Sequence, residues 1–194
     1  RINDLLGRLT LQEKVELMAE PVKFPRLKLA FSGQVEGLHG LALGGPGGWG
    51  PRGLQPLPTT TFPQEKGRGN TWDPELMKQI GSLEGHEARY YYQNLVLNPD
   101  YQNRAGVIVR APNVDLSRDP RWGRTEESMG EDPFLVGTMT VGFIHGLQGP
   151  DPKHWLASSL MKHFLANENE NTRAFSSSDF DDRLFREYYS VPFR

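Results

Sequence analysis

The stretch GVIVRAPNVDL, residues 106–116, constrains this chain most. It opens with β-branched residues and runs into Pro112, which cannot donate to a ladder, so it reads as a strand passing into a loop. A second short strand, LASSLM at 156–161, follows about forty residues later, and helical patterns flank both. Thr10-Leu11-Gln12-Glu13 has the form of a capping box before the apolar positions Leu11, Val15 and Leu17-Met18, which predicts a helix over 11–19. Asp73-Pro74 reads as N-cap and first helical residue, and Leu76, Ile80 and Leu83 continue at helical spacing to about Tyr92. Asp132-Pro133 opens another helix, with Phe134, Val141 and Ile144 as core candidates and Gly146 near its end. A last segment, 179–193, reads as mostly helical, with Asp179 as its cap and Leu184, Tyr188 and Val191 on one face. Alternating helices and strands argue an α/β fold with a parallel sheet. The glycine- and proline-dense stretch 44–58 is a loop carrying one aromatic, Trp49.

Composition narrows the function classes. A net charge of -2 gives no electrostatic reason for binding nucleic acid or an anionic membrane. No run reaches the roughly 18 apolar residues of a bilayer-spanning helix. With no cysteine, disulfides, thiolate metal sites and a cysteine nucleophile are excluded. The five histidines lack a metal-binding spacing, and GGPGGWG lacks both the strand-to-helix context of a dinucleotide fingerprint and the lysine of a phosphate loop. No metal or organic cofactor is expected. Ser159-Leu160-Met161-Lys162 matches S-x-x-K, but that serine should open a helix and here sits in a strand.

Polar residues gather where the candidate strands end. DLSRDPRWGRTEES follows the first strand, with Arg118, Arg121 and Arg124 among Asp115, Asp119, Glu126 and Glu127; Lys162 and His163 follow the second. In parallel α/β proteins, sites form at these carboxyl ends. Lysine, arginine and histidine donors there suit a ligand with many hydroxyl groups, and Glu36 would accept from others. Trp49, Trp72 or Trp122 would give an apolar platform for a sugar ring. The bland reading of the arginine-rich loop is a salt-bridge network, with Arg118 and Arg121 each paired to Asp115 or Asp119, and His39 reads as structural.

Six stretches together resemble the N-terminal catalytic domain of glycoside hydrolase family 3. They are EGLHG at 36–40, TTFPQ at 60–64, TWDPE at 71–75, RDPRWGR at 118–124, GEDPFLVG at 130–137 and KHFLANENENTR at 162–173. KHFLANENE, in place of KHFPGHG, is similar to the β-glucosidase and β-xylosidase side of that family rather than to its N-acetylhexosaminidases. The resemblance implies a (β/α)8 TIM-type barrel and a retaining, exo-acting β-glycosidase working by double displacement on non-reducing terminal residues of a β-linked oligosaccharide or glycoside. Carried over by position, Glu36, Arg124, Lys162 and His163 would bind the hydroxyls of the terminal sugar, while Arg118, Arg121 and Arg173 would support the loops. An arginine often found shortly after HG is replaced here by Leu41-Ala42-Leu43. A β-glucosidase is the first expectation. Glu36, where many glucosidases have aspartate, mildly favours a β-xylosidase or xylosidase/arabinofuranosidase, and a non-catalytic carbohydrate-binding protein is the alternative from another class.

Neither carboxyl group that retaining hydrolysis requires is assigned within 1–194. The family's nucleophile is an aspartate in an SDW-like motif well downstream of Lys-His, and its acid/base glutamate belongs to the following domain. Asp179, in SSSDF, lies too early to serve. A closed barrel takes about 250 residues. Residues 1–194 are therefore expected to form a single partial domain, the N-terminal half to two-thirds of such a barrel, completed by the remainder of its own chain. Family habit implies secretion or periplasmic export.

Overall fold

The computed structural model describes residues 2–18, 23–30, 33–43, 57–95 and 106–194; most of the glycine-rich loop, with Trp49, lies outside them. The chain divides into two compact units, Arg1–Gly33 and Gln34–Arg194.

The first unit holds helices α1 (Ile2–Arg8) and α2 (Leu11–Leu17) and a two-residue antiparallel hairpin of β1 (Lys23–Phe24) and β2 (Leu29–Ala30). The capping box forms as the sequence predicts: Thr10 Oγ1 accepts from the Glu13 backbone N–H at 3.2 Å, and the Glu13 carboxylate accepts from the Thr10 N–H at 2.8 Å. Arg26 joins Glu13 at 2.6 Å. The apolar face expected of α2 is not a buried one, since Leu11, Val15 and Met18 are exposed.

β3 (Gly33–Glu36), all but its first residue in the second unit, forms a sheet with β4 (Gly106–Arg110) and β5 (Ser158–Ser159) in that order. β4 and β5 run parallel, with Ile108 opposite Ser158 and Val109 opposite Ser159. The run predicted as strand 156–161 contains only two ladder residues, because Pro112 has no N–H and the Ser159 hydroxyl donates to Ala111 O at 2.6 Å. Pairing resumes beyond the proline. Lys162 N–H donates to Pro112 O, and Val114 N–H donates to Lys162 O at 2.8 Å. The α/β class with a parallel pair is as expected; the described strands do not close a barrel.

Helix α3 (Glu65–Gly69) and α4 (Pro74–Leu95) lie between β3 and β4, and α5 (Pro133–Gln148) lies between β4 and β5. Asp73 and Asp132 cap α4 and α5 as predicted, each accepting first-turn backbone N–H groups at 2.7–3.0 Å. The buried stripes differ from the expected ones. On α4 the stripe is Met77, Ile80, Glu84 and Ala88, whereas Leu76 and Leu83 are exposed. On α5 it is Val136, Met139, Phe143 and Leu147; Phe134 is 79% exposed and Val141 is also outside, so only Ile144 of the three core candidates packs on the core.

The reason is a seam of glycines between the two helices. A Cβ on Gly81 would lie 2.1 Å from Phe143 O, on Gly85 2.5 Å from Leu147 O, on Gly142 2.4 Å from Pro74 O and on Gly146 2.0 Å from Lys78 O. The backbones therefore touch, and this seam rather than the bulkiest side chains sets which faces turn inward. Gly146 is part of the seam; the residue that ends α5 is Gly149, with φ 80°.

The C-terminal segment starts later than predicted. Asp181, not Asp179, caps α6 (Asp182–Leu184) by accepting from Leu184 N–H at 2.8 Å, and a π-helical turn and a 3₁₀ turn follow to Phe193. Tyr188 packs on the core, but Leu184 is exposed.

The glycine seam gives a direct test. Gly146→Ala should destabilise the protein by about 1–3 kcal/mol, because backbone cannot yield as a side chain does. Urea or thermal denaturation would read this, and an unchanged midpoint would show that α4 and α5 are farther apart than described.

Candidate functional site

Glu36 ends β3, Arg110 ends β4, and Lys162 follows β5, so three chain segments meet at one end of the sheet. Lys162 is 5% exposed, and its Nζ donates to Glu36 Oε2 at 2.7 Å. The other Glu36 oxygen faces Arg110 Nη1 at 3.2 Å. An isolated buried lysine would be costly; here Glu36 takes one of its N–H groups and the others remain for a further partner.

His163 is held from both sides. Asp115 Oδ2 accepts its backbone N–H at 3.2 Å and meets Nδ1 at 2.7 Å, while Nε2 lies 3.0 Å from Arg124 Nη1. A guanidinium only donates, so this arrangement makes Nε2 the acceptor and puts the ring proton on Nδ1, toward Asp115. Burial raises the Asp115 carboxyl above its ordinary range, opposed by its bonds to His163 and by the Arg124 charge. Arg124 is in turn gripped through Nε and Nη2 by Glu127 and faces Glu170 at 3.8 Å.

The four residues singled out in the sequence, Glu36, Arg124, Lys162 and His163, are thus brought together. Beside them a cleft of about 570 Å³ is bordered by His163, Phe164, Asn167, Asn169, Arg173 and Phe180. Arg121 pairs with Asp119 at 2.6 Å, as the bland reading expected, and Arg173 pairs with Glu170 at 3.0 Å. Arg118 does not pair with Asp115 or Asp119. It bonds Glu168 at 2.5 Å and lies over the Tyr189 ring at 5.0 Å. Trp122 is buried, with its indole N–H toward Glu170, and so offers no open face; Trp72 is 74% exposed in the turn between α3 and α4. Asp179 is exposed and accepts from Ser177. Among the described residues, no group of three histidine or acidic side chains is placed to hold a metal.

Sequence reasoning missed Arg110, Glu170 and the pairings of Glu127 with Arg124 and of Asp115 with His163. It also missed a buried polar cluster formed by Glu65, Arg68 and Glu84. Glu65 accepts the Asn113 backbone N–H at 3.0 Å and lies 3.4 Å from Arg68 Nη2, which donates to Leu38 O. Burial raises the Glu65 carboxyl well above its ordinary range, against the pull of Arg68 and the Asn113 N–H. Glu84 is pushed up to about 8 by burial, which outweighs Arg68; neighbouring Glu87 raises it further, and the Gly40 N–H lowers it.

Sequence and structure comparisons agree on what this arrangement belongs to. The model of the glycosyl hydrolase family 3 N-terminal domain matches residues 50–194, so the chain belongs to that family. Beta-D-xylosidase 1 of Arabidopsis thaliana is 34% identical over all of this chain and 25% of its own length. A beta-glucosidase of Rhizobium radiobacter is 31% identical over 99% of this chain and 21% of its own. The crystal structure of a beta-glucosidase from Kluyveromyces marxianus superposes with a TM-score of 0.78 at 26% identity, over 100% of this chain and 21% of that one. The chain thus spans about a quarter of the length of the curated relatives it matches.

Glu84 makes the stability of this fold depend on pH. Its folded value of about 8 against an ordinary 4.5 means that the folded state holds the proton more tightly. The contribution of Glu84 to stability should therefore fall as pH rises from about 4.5 to about 8, by at most about 1.4 kcal/mol per pH unit, in addition to that of Glu65, which is raised in the same direction. Glu84→Gln should remove that slope and gain on the wild type toward pH 8 in denaturation series. The same slope in both proteins would refute a protonated Glu84.

Proposed function

We propose that these residues form the sugar-recognition wall of a retaining, exo-acting β-glycosidase. The observation that carries this reading is the pairing of Lys162 with Glu36 and of its chain neighbour His163 with Arg124, beyond the ends of the strands. Lys162 presents N–H groups not used by Glu36, Arg124 presents its guanidinium edge, and Glu36 retains lone pairs for sugar hydroxyls. Bonds that tighten as the ring distorts would lower the barrier to forming the glycosyl-enzyme. The nucleophile and acid/base would come from outside 1–194, which we take as one portion of a single barrel domain.

Both glucosides and xylosides fit the cluster. Similarity to proteins named beta-glucosidase, one solved in complex with glucose, supports a terminal β-D-glucosyl substrate. Similarity to beta-D-xylosidase 1, together with glutamate at position 36, supports a β-D-xylosyl one.

Kinetics of the full-length protein on aryl β-glucoside and aryl β-xyloside would choose between them. On the better substrate, Lys162→Ala should lower kcat/KM at least about tenfold, by analogy with loss of one transition-state donor. Arg110 remains to pair with Glu36, so the fold should survive. Unchanged kinetics in a folded Lys162→Ala variant would remove Lys162 from the site.

A further inference from the structure

Two buried residues on the short helix α3 touch both halves of this site from below. Glu65 and Arg68 are 0% and 2% exposed. Arg68 Nη2 donates to the carbonyl of Leu38, two residues beyond Glu36. Glu65 takes the N–H of Asn113, the residue bridged to Lys162 across the sheet. Asn113 continues the chain of contacts: its Oδ1 accepts the Asp115 N–H at 2.9 Å, and Asp115 holds both the backbone and the ring of His163. Its Nδ2 points to Glu127, the partner of Arg124, at 3.5 Å. One ion pair within α3 therefore connects to the supports of Glu36, Lys162, His163 and Arg124.

Stability alone is a poor reason for this pair. Exchanging a buried ion pair for well-packed apolar residues is often neutral or stabilising, whereas removing one partner is strongly destabilising. Arg68 also carries a continuing cost, since its Nε and Nη1 are buried without a hydrogen-bond partner among the described residues. What an apolar pair could not supply is an acceptor for Asn113 N–H and a donor to Leu38 O.

We propose that Glu65 and Arg68 are positioning residues that set the distance between the Glu36 strand end and the Lys162-His163 segment, and so tune the proposed glycosidase site without touching substrate. The inference rests on that functional reading. Glu65→Leu/Arg68→Met in the full-length protein separates positioning from stability. The double variant should fold with a lowered melting temperature, since Asn113 N–H and Leu38 O lose their partners, and at temperatures where it stays folded it should lose about tenfold or more in kcat/KM, mainly in kcat, because catalytic geometry tolerates little displacement. Glu65→Gln, which still accepts from Asn113, should recover most of the loss. If the double variant does not fold, Arg68→Lys decides. A lysine side chain is shorter and ends short of Nη2, the one nitrogen that faces both Glu65 and Leu38 O, so a folded Arg68→Lys protein should show the same direction of loss.

Wild-type kinetics in the double variant or in Arg68→Lys, while Lys162→Ala is impaired, would overturn the positioning role. Retention of activity in Lys162→Ala as well would instead overturn the sugar-binding reading. Should the wild-type protein hydrolyse neither substrate, the imidazole ¹⁵N resonances of His163 still report. Their displacement in the double variant but not in Glu65→Gln supports positioning, and unmoved resonances refute it.

Discussion

The parallel pairing of β4 with β5 continues past Pro112 into the Asn113–Lys162 bridge, and the site is laid out along that register. Lys162 N–H donates to Pro112 O and Val114 N–H donates to Lys162 O, so the backbone of Lys162 is fixed on both sides of its Cα. Its side chain can then reach Glu36 from the neighbouring strand, and the next residue, His163, falls onto Asp115. A one-residue slip would reverse the side-chain direction along the segment and separate both pairs at once.

Charge balance within the cluster bears on the kind of ligand. Lys162 and Arg110 share Glu36, and Arg124 is matched by Glu127 and Glu170. Each of these cations faces at least one carboxylate among the described residues, and each still presents N–H groups. A neutral molecule rich in hydroxyl groups takes such donors without having to shed a charge of its own. That local chemistry supports the ligand class proposed for this site.

The sequence revealed residue types and strand ends more fully than pairings. Asp73, Asp132 and the Thr10–Glu13 box were legible because capping acts over three residues. Glu36, Arg124, Lys162 and His163 were legible as polar residues at strand ends or, for Glu36, through the family motif. Which carboxylate holds which cation was not legible: Asp115 is 48 residues from His163, and Arg118 is 50 from Glu168. Nothing local distinguishes those partners from the nearer Asp115 and Asp119. The buried faces of α4 and α5 were misread for a different reason. Contact through glycine carries no hydrophobic signal, so Phe134 and Val141 looked more like core than Gly142 and Gly146.

Helix α4 shows why an acid inside an apolar stripe is consistent with the rest of the fold. Its Glu87 accepts the Thr60 N–H and hydroxyl, and Arg89 donates to the carbonyls of Trp155 and Leu156 just before β5. Glu84, three residues before Glu87, sits beside Gly37, where a Cβ would come within 3.2 Å of its carboxyl. One helix therefore constrains the segment that follows Glu36 and the segment that enters β5. Apolar residues in place of Glu87 and Arg89 would have left those backbone groups to find other partners. The glycine seam with α5 holds α4 at that depth, so helix packing and the alignment of the polar cluster depend on the same close contact.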